Sequence, residues 1–146
     1  MGKLNVDGTE IQVLQVEEDD YISLTDMVRK IDNGPALIEK WLRNKNTIEF
    51  LGIWEEMYNE DFDTNAYDEI MQEAGLNRFI MSVKQWVTRT NSKGIMAKAG
   101  RYGGTYAHKD IAYHFGMWIS PRFQLLLVKE YQLLQSEKQK ARMQMI

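Results

Sequence analysis

The sequence predicts an α+β domain built from several short helices and small β-hairpins. Three observations carry this. IQVLQV, Ile11 to Val16, alternates apolar and polar residues with the period of a half-buried strand. Apolar residues recur at helical spacing in several later segments, most of them opened by a capping or proline signal. Finally, KAGRYGGTYAHKD, Lys98 to Asp110, sets three glycines within five residues between two short β-prone runs.

In chain order, Asp7-Gly8 reads as a turn before the first strand, and Glu17 to Asp20 as an acidic loop after it. Tyr21-Ile22 completes a hairpin. Ser23-Leu24-Thr25-Asp26 has capping-box spacing and opens a short helix through Met27, Val28 and Ile31. Asp32-Asn33-Gly34-Pro35 ends that helix, and Pro35 suits the first turn of the next. In ALIEKWLRN the residues Leu37, Ile38, Trp41 and Leu42 form one stripe, with Lys40 and Arg43 off it. Asn46-Thr47-Ile48-Glu49 is again a capping-box pattern, opening a helix with Phe50, Leu51, Ile53, Trp54 and Tyr58 facing inward.

A loop from Asn59 to Asp63 leads to a helix through Tyr67, Ile70 and Met71, with Gly75 as its C-terminal cap. Ser82-Val83-Lys84-Gln85 starts another, packed through Trp86 and Val87, and Asn91-Ser92-Lys93-Gly94 is turn chemistry. IMAKA and TYA are the strands flanking the glycine turn. A helix from about Lys109 carries Ile111, Ala112, Phe115, Trp118 and Ile119, and Ser120-Pro121 opens a final helix with Leu125, Leu126, Leu127, Tyr131 and Leu134. The four tryptophans, Trp41, Trp54, Trp86 and Trp118, each sit on an apolar stripe and are expected in the core.

At 146 residues this is one domain, long enough to bury a single core. Hydrophobic residues at 44% and charged residues at 27% exclude a disordered chain. The sequence has no cysteine, which excludes disulfides, thiolate nucleophiles and the usual structural zinc sites, and fits a cytoplasmic protein. No apolar run is long enough for a membrane span, and the N-terminus lacks a signal-peptide core, so no membrane partner is expected.

The net charge of −3 argues mildly against nucleic acid, but its distribution does not. From Thr47 to Asn77 there are nine acidic residues and no Lys or Arg; from Asn77 to Lys109 there are seven basic residues and no Asp or Glu. Such blocks suggest one anionic and one cationic surface.

Catalytic and ligand motifs fail on their own terms. GRYGG matches neither GxxxxGK[ST] nor GxGxxG, and it runs into the strand Thr105-Tyr106-Ala107, where a nucleotide loop would open a helix. His108 and His114 are six apart, a spacing that suits neither a helical nor a strand pair of metal ligands; His108 reads as a helix cap or phosphate contact, and His114 as a helix-surface or partly buried residue. Asp61-Phe62-Asp63-Thr64-Asn65 begins like a calcium loop, yet Ala66 stands where glycine is needed and Gln72 where the bidentate glutamate is. No nucleophile elbow is present. No enzyme activity, metal, cofactor or small-molecule substrate is expected.

The basic block remains. Lys84 and Arg89 lie on or near a helix, Lys93 in a turn, Lys98 on a strand, Arg101 and Tyr102 at the hairpin tip, and Lys109 at the next helix start. Glycine exposes backbone N–H groups and arginine forks to phosphate, so this block is expected to hold a DNA backbone. Base reading needs a helix in a groove. The candidate is the helix-turn-helix pair from Ser23 to Asn46, with Lys40 on its outer face and Arg43, Asn44, Lys45 and Asn46 at its end.

ISLTDMVR, IEKWLRNKNTIEFLGIWEEMYN, the AG of EAGLNRF, the KQW of SVKQW, and above all GIMAKAGRYGGTYAHKDIAYHFGMWISPRFQLLLVKEYQLL together resemble a KilA-N domain, over roughly Asn5 to Gln135. The resemblance implies a DNA-binding domain of the kind found in bacteriophages, bacteria and large DNA viruses. It is similar to the fungal APSES domain, which implies a compact winged helix-turn-helix-like fold with the glycine hairpin as wing. It further implies a phage- or mobile-element-type transcriptional regulator or antirepressor with double-stranded DNA as partner. In that family a variable C-terminal domain usually follows, so residues 1–135 form the domain and 136–146 are a polar helical tail starting a linker. The alternative is a protein-interaction or oligomerisation module, in which the acidic helix from Thr47 to Tyr58 and the apolar final helix bind a partner or a second copy.

Overall fold

Strands β1 (Gly2–Val6) and β2 (Thr9–Val16) meet at Asp7-Gly8, whose positive φ angles of 51° and 81° give the hairpin turn that matches strand twist. The computed structural model describes residues 2–101 and 103–144. β3 (Asp19–Ser23) pairs back on β2, and β4 (Ile95–Lys98) pairs with β5 (Gly104–His108). The two hairpin systems are not separate. Tyr21, Ile22 and Ser23 pair with His108, Ala107 and Tyr106, which joins all strands into one antiparallel sheet of order β1-β2-β3-β5-β4. β1 is an addition to the expected strands, and the acidic loop contracts to the two-residue turn Glu17-Glu18, with Asp19 and Asp20 inside β3.

Pairing places one row of residues on the same sheet face: Gly2, Val13, Ile22, Ala107 and Ile95, one from each strand. Leu4 and Ile11, which face each other, extend it, and all but Gly2 are buried. The central strands are also buried on the other face, through Tyr21, Ser23, Tyr106 and His108.

Seven helices complete the α+β domain among the described residues: α1 (Leu24–Met27), α2 (Gly34–Leu42), α3 (Lys45–Tyr58), α4 (Thr64–Glu73), α5 (Val83–Thr90), α6 (Lys109–Ile119) and α7 (Pro121–Gln144). Trp41, Leu42, Ile48, Leu51, Ile111, Phe115 and Leu127 are fully buried between them, and each contributes on the order of 1.5–3 kcal/mol. Trp41 and Phe115 meet edge to face at 5.0 Å.

Several local expectations are corrected. α1 is one turn long and stops before Ile31, which is 38% exposed, so α2 and α3 are the adjacent helices of useful length. Ser23 caps α1 by accepting the Asp26 N–H, but Asp26 does not return the bond; its carboxylate takes the Gln12 N–H and the Arg29 guanidinium. α3 starts at Lys45, before the pattern at Asn46, with Asn44 as N-cap. Ser82 and Gln85 do form the reciprocal box expected of them. Ile53 and Tyr58, expected inside, are half exposed, as is Leu125 to a greater degree; Trp118 is 37% exposed. α7 runs unbroken from Pro121 through Gln135 to Gln144. No described helix is long and apolar enough to cross a membrane.

Candidate nucleic-acid interface

The register gives the sheet two distinct ends. At one end lie the β1–β2 turn, the exit of β3 into α1, and the β4–β5 turn; this is the hairpin end. At the other lie the Glu17-Glu18 turn, Gly94 before β4, and His108 at the start of α6. α6 crosses from the second end to the first, roughly 16 Å, and just beyond it Arg122 pairs with Asp7 of the β1–β2 turn at 3.3 Å. α7 returns, so that Tyr131 and Gln135 donate to Asp20.

α3 runs antiparallel to α6. Trp54 donates its indole N–H to Asp110 at 3.2 Å, and Phe50 stacks on His114 at 4.3 Å. Asn44, Asn46 and Thr47 then line a groove of about 300 Å³ with His114, Met117 and Trp118. The start of α3 therefore lies toward the hairpin end.

Charge follows this axis. The hairpin end carries Arg29, Lys30, Lys98, Arg101 and Arg122, with Arg43 and Lys45 where α2 meets α3. Arg29 pairs with Asp26 while its side chain stays 56% exposed, and Lys30 Nζ donates to the Gly8 carbonyl at 2.8 Å. The opposite end carries Glu17, Glu18, Asp19 and Asp20 in succession. The hairpin end also holds Asp7, Asp26 and Asp32, the opposite end Lys93 and Lys109, and nine further acids lie between Thr47 and Asn77. At the hairpin end, however, cations outnumber acids.

The KilA-N domain model matches residues 4–137. The chain belongs to the KilA-N domain family. KilA-N domains bind DNA, which supports a general DNA-binding role here. No curated protein and no solved structure matches the chain.

Within this KilA-N domain the expected contact residues fall into separate groups. Lys40, Arg43, Lys45 and Asn46 are exposed around the α2–α3 junction. Asn44 is exposed too, but its amide donates to the Lys40 and Trp41 carbonyls, closing the end of α2. Lys98 and Arg101 are exposed on the β4–β5 hairpin, and Tyr102 lies outside the described residues. Lys84 is exposed in the first turn of α5.

Arg89 instead forks onto Glu73 at 2.7 and 3.3 Å; the pairing holds the Glu73 carboxyl below, and the Arg89 guanidinium above, their ordinary ranges. Lys93 and Lys109 lie at the anionic end. Lys109 pairs with Asp110 at 3.3 Å, and Lys93 is separated from Lys98 by roughly 16 Å of extended chain. The acidic and basic sequence blocks are interlocked: Glu73 meets Arg89, and buried Glu55 accepts the Lys93 and Gly94 N–H groups at 2.9 and 2.7 Å. The hairpin-end cations of this KilA-N domain that are absent from the expected set are Arg29, Lys30 and Arg122. The adjacent Arg29-Lys30 pair before the Gly-Pro turn is a visible sequence signal; Arg122 becomes notable only through its contact with Asp7.

The hairpin glycines have structural causes. Gly104 sits at φ +141°, where a Cβ would lie 2.7 Å from Thr25 Oγ1; at Gly103 a Cβ would lie 2.6 Å from the Lys98 carbonyl oxygen. Both histidines are engaged. His108 Nδ1 accepts the Asp110 N–H at 3.2 Å and caps α6. His114 Nδ1 accepts the Trp41 indole N–H at 3.0 Å, and burial pushes its pKa down. Among the described residues no three His, Asp or Glu side chains are grouped as metal ligands.

Proposed function

We propose that this KilA-N domain is the DNA-binding part of a transcriptional regulator of phage or mobile-element type, and that duplex DNA docks against the hairpin end. The observation that carries this reading is the segregation of charge along the sheet axis. It allows a protein of net charge −3 to meet a polyanion with its cationic end while Glu17 to Asp20 point away.

In this reading the β4–β5 hairpin is the wing, and Lys98 and Arg101 hold phosphates, joined by Arg29, Lys30 and Arg122. The α2–α3 junction is the reading head. Arg43, Lys45 and Asn46 present base-competent side chains, and the N-terminus of α3, with no side-chain cap on it, favours a neighbouring phosphate. Lys40 and Lys84 are outlying contacts. Lys93, Lys109 and Arg89 fall outside the docked face.

Titration of duplex DNA at several salt concentrations tests the role. Association should weaken steeply with salt, and selection from a random duplex pool should return a preferred sequence that is lost in Asn46→Ala and retained in Lys98→Ala. Absence of binding at low salt contradicts the reading.

A further inference from the structure

Eleven large apolar side chains are exposed among the described residues, and six of them belong to two helices: Ile53, Met57 and Tyr58 on α3, Leu125, Leu133 and Met143 on α7. On α3 they join Phe50 and Trp54 in a groove of about 260 Å³ whose far wall is Asp110. Helical spacing sets exposed Glu49 and Glu56 along the Ile53 side of that groove. Of the nearby cations, Lys109 is paired with Asp110, and Lys45 lies one turn before Glu49 on α3. The groove is therefore apolar with an acidic border.

The outer stripe of α7 is its complement. Leu125, Lys129, Leu133, Lys140 and Met143 fall on one side of the helix, opposite buried Leu127 and Tyr131, and all five are exposed. Glu137 stands at the stripe's edge rather than within it. The stripe spans roughly 27 Å and α3 roughly 21 Å, so one can lie along the other.

We propose that two copies of this chain associate about a two-fold axis, the outer stripe of α7 of each copy seated in the α3 groove of the other. Matching apolar surfaces supply the contact, and Lys129 and Lys140 facing Glu49 and Glu56 supply its direction. A second copy is favoured over another partner because both complementary faces are carried by the same chain. The groove is lined by Phe50 to Tyr58 and Asp110, so its lining includes none of Lys98, Arg101 and the α2–α3 junction.

Sedimentation equilibrium over a wide range of protein concentration tests this. The mass should rise from that of the monomer toward that of the dimer, less readily at high salt. Met57→Asp and Leu133→Asp, both at exposed positions, should each weaken association at least about tenfold. Reversing Glu49 and Glu56 to Lys should weaken it, as should reversing Lys129 and Lys140 to Glu. All four reversals in one chain should restore it, which a folding defect would not do. A monomer at every concentration overturns the proposal, as does a dimer that both Asp variants leave intact. A monomer that still binds DNA with salt dependence overturns the dimer alone and leaves the DNA-binding role standing.

Discussion

The Thr105 N–H donates to Thr25 Oγ1 at 2.9 Å, fastening the base of the glycine hairpin to the first turn of α1. At Gly104, next to this bond, a Cβ would lie 2.7 Å from the same hydroxyl. The hairpin is thus held at a fixed angle to the helices that follow β3. Gly104→Ala should destabilise the protein by about 2 kcal/mol, since alanine tolerates φ +141° poorly and meets Thr25. Urea unfolding measures this, and Gly100→Ala, with open space around it but φ +104°, should cost less.

Glu55 is 1% exposed, and its carboxylate accepts the Lys93 N–H, the Gly94 N–H and the Asn59 amide. It ties the end of α3 to the start of β4. Glu55→Ala leaves these donors unmet and should cost about 3 kcal/mol or more, whereas Glu56→Ala, one residue on and exposed, should change stability little. Thermal unfolding of the two variants side by side makes the comparison.

His114 of α6 faces α2 and α3, bonded to Trp41 and stacked on Phe50. Burial lowers its folded-state pKa below the ordinary 6.5, so the unfolded chain binds the proton more readily. Its neutral form costs nothing above about pH 6.5; as pH falls from there through the folded pKa, stability is lost. Chemical denaturation at a series of pH values should show this decline, and His114→Gln should flatten it while keeping an acceptor for Trp41. An unchanged slope in that variant would assign the decline elsewhere.

Much of the fold is legible in the sequence because local chemistry and tertiary context agree. The Asp7-Gly8 turn, the strand through Ile11 and Val13, the Ser82–Gln85 box and the two strands around the glycines each follow from a short-range rule. β1 is not, because only Leu4 and Val6 point inward over five residues. The N-cap of α3 reads two residues late, at Asn46 rather than Asn44, because the Asn44 amide serves α2 instead. Ile53 and Tyr58 read as core because the apolar stripe of α3 is wider than the surface it covers. The cationic surface is only half legible. Lys93 and Lys98 are five residues apart in sequence, but β4 carries them to opposite ends of the sheet, and Arg122 reaches the cationic end through a pairing with Asp7 that no linear pattern displays.

Removing cations in pairs and measuring the dependence of duplex affinity on salt tests the docking of DNA on the hairpin end most directly. Lys98→Ala with Arg101→Ala should lower affinity for all sequences and reduce the salt slope by about 2, one for each phosphate no longer neutralised. Lys93→Ala with Lys109→Ala removes the same charge from the opposite end and should leave the slope unchanged. Equal reductions of slope from the two pairs, or a reduction from the second pair alone, would contradict the account.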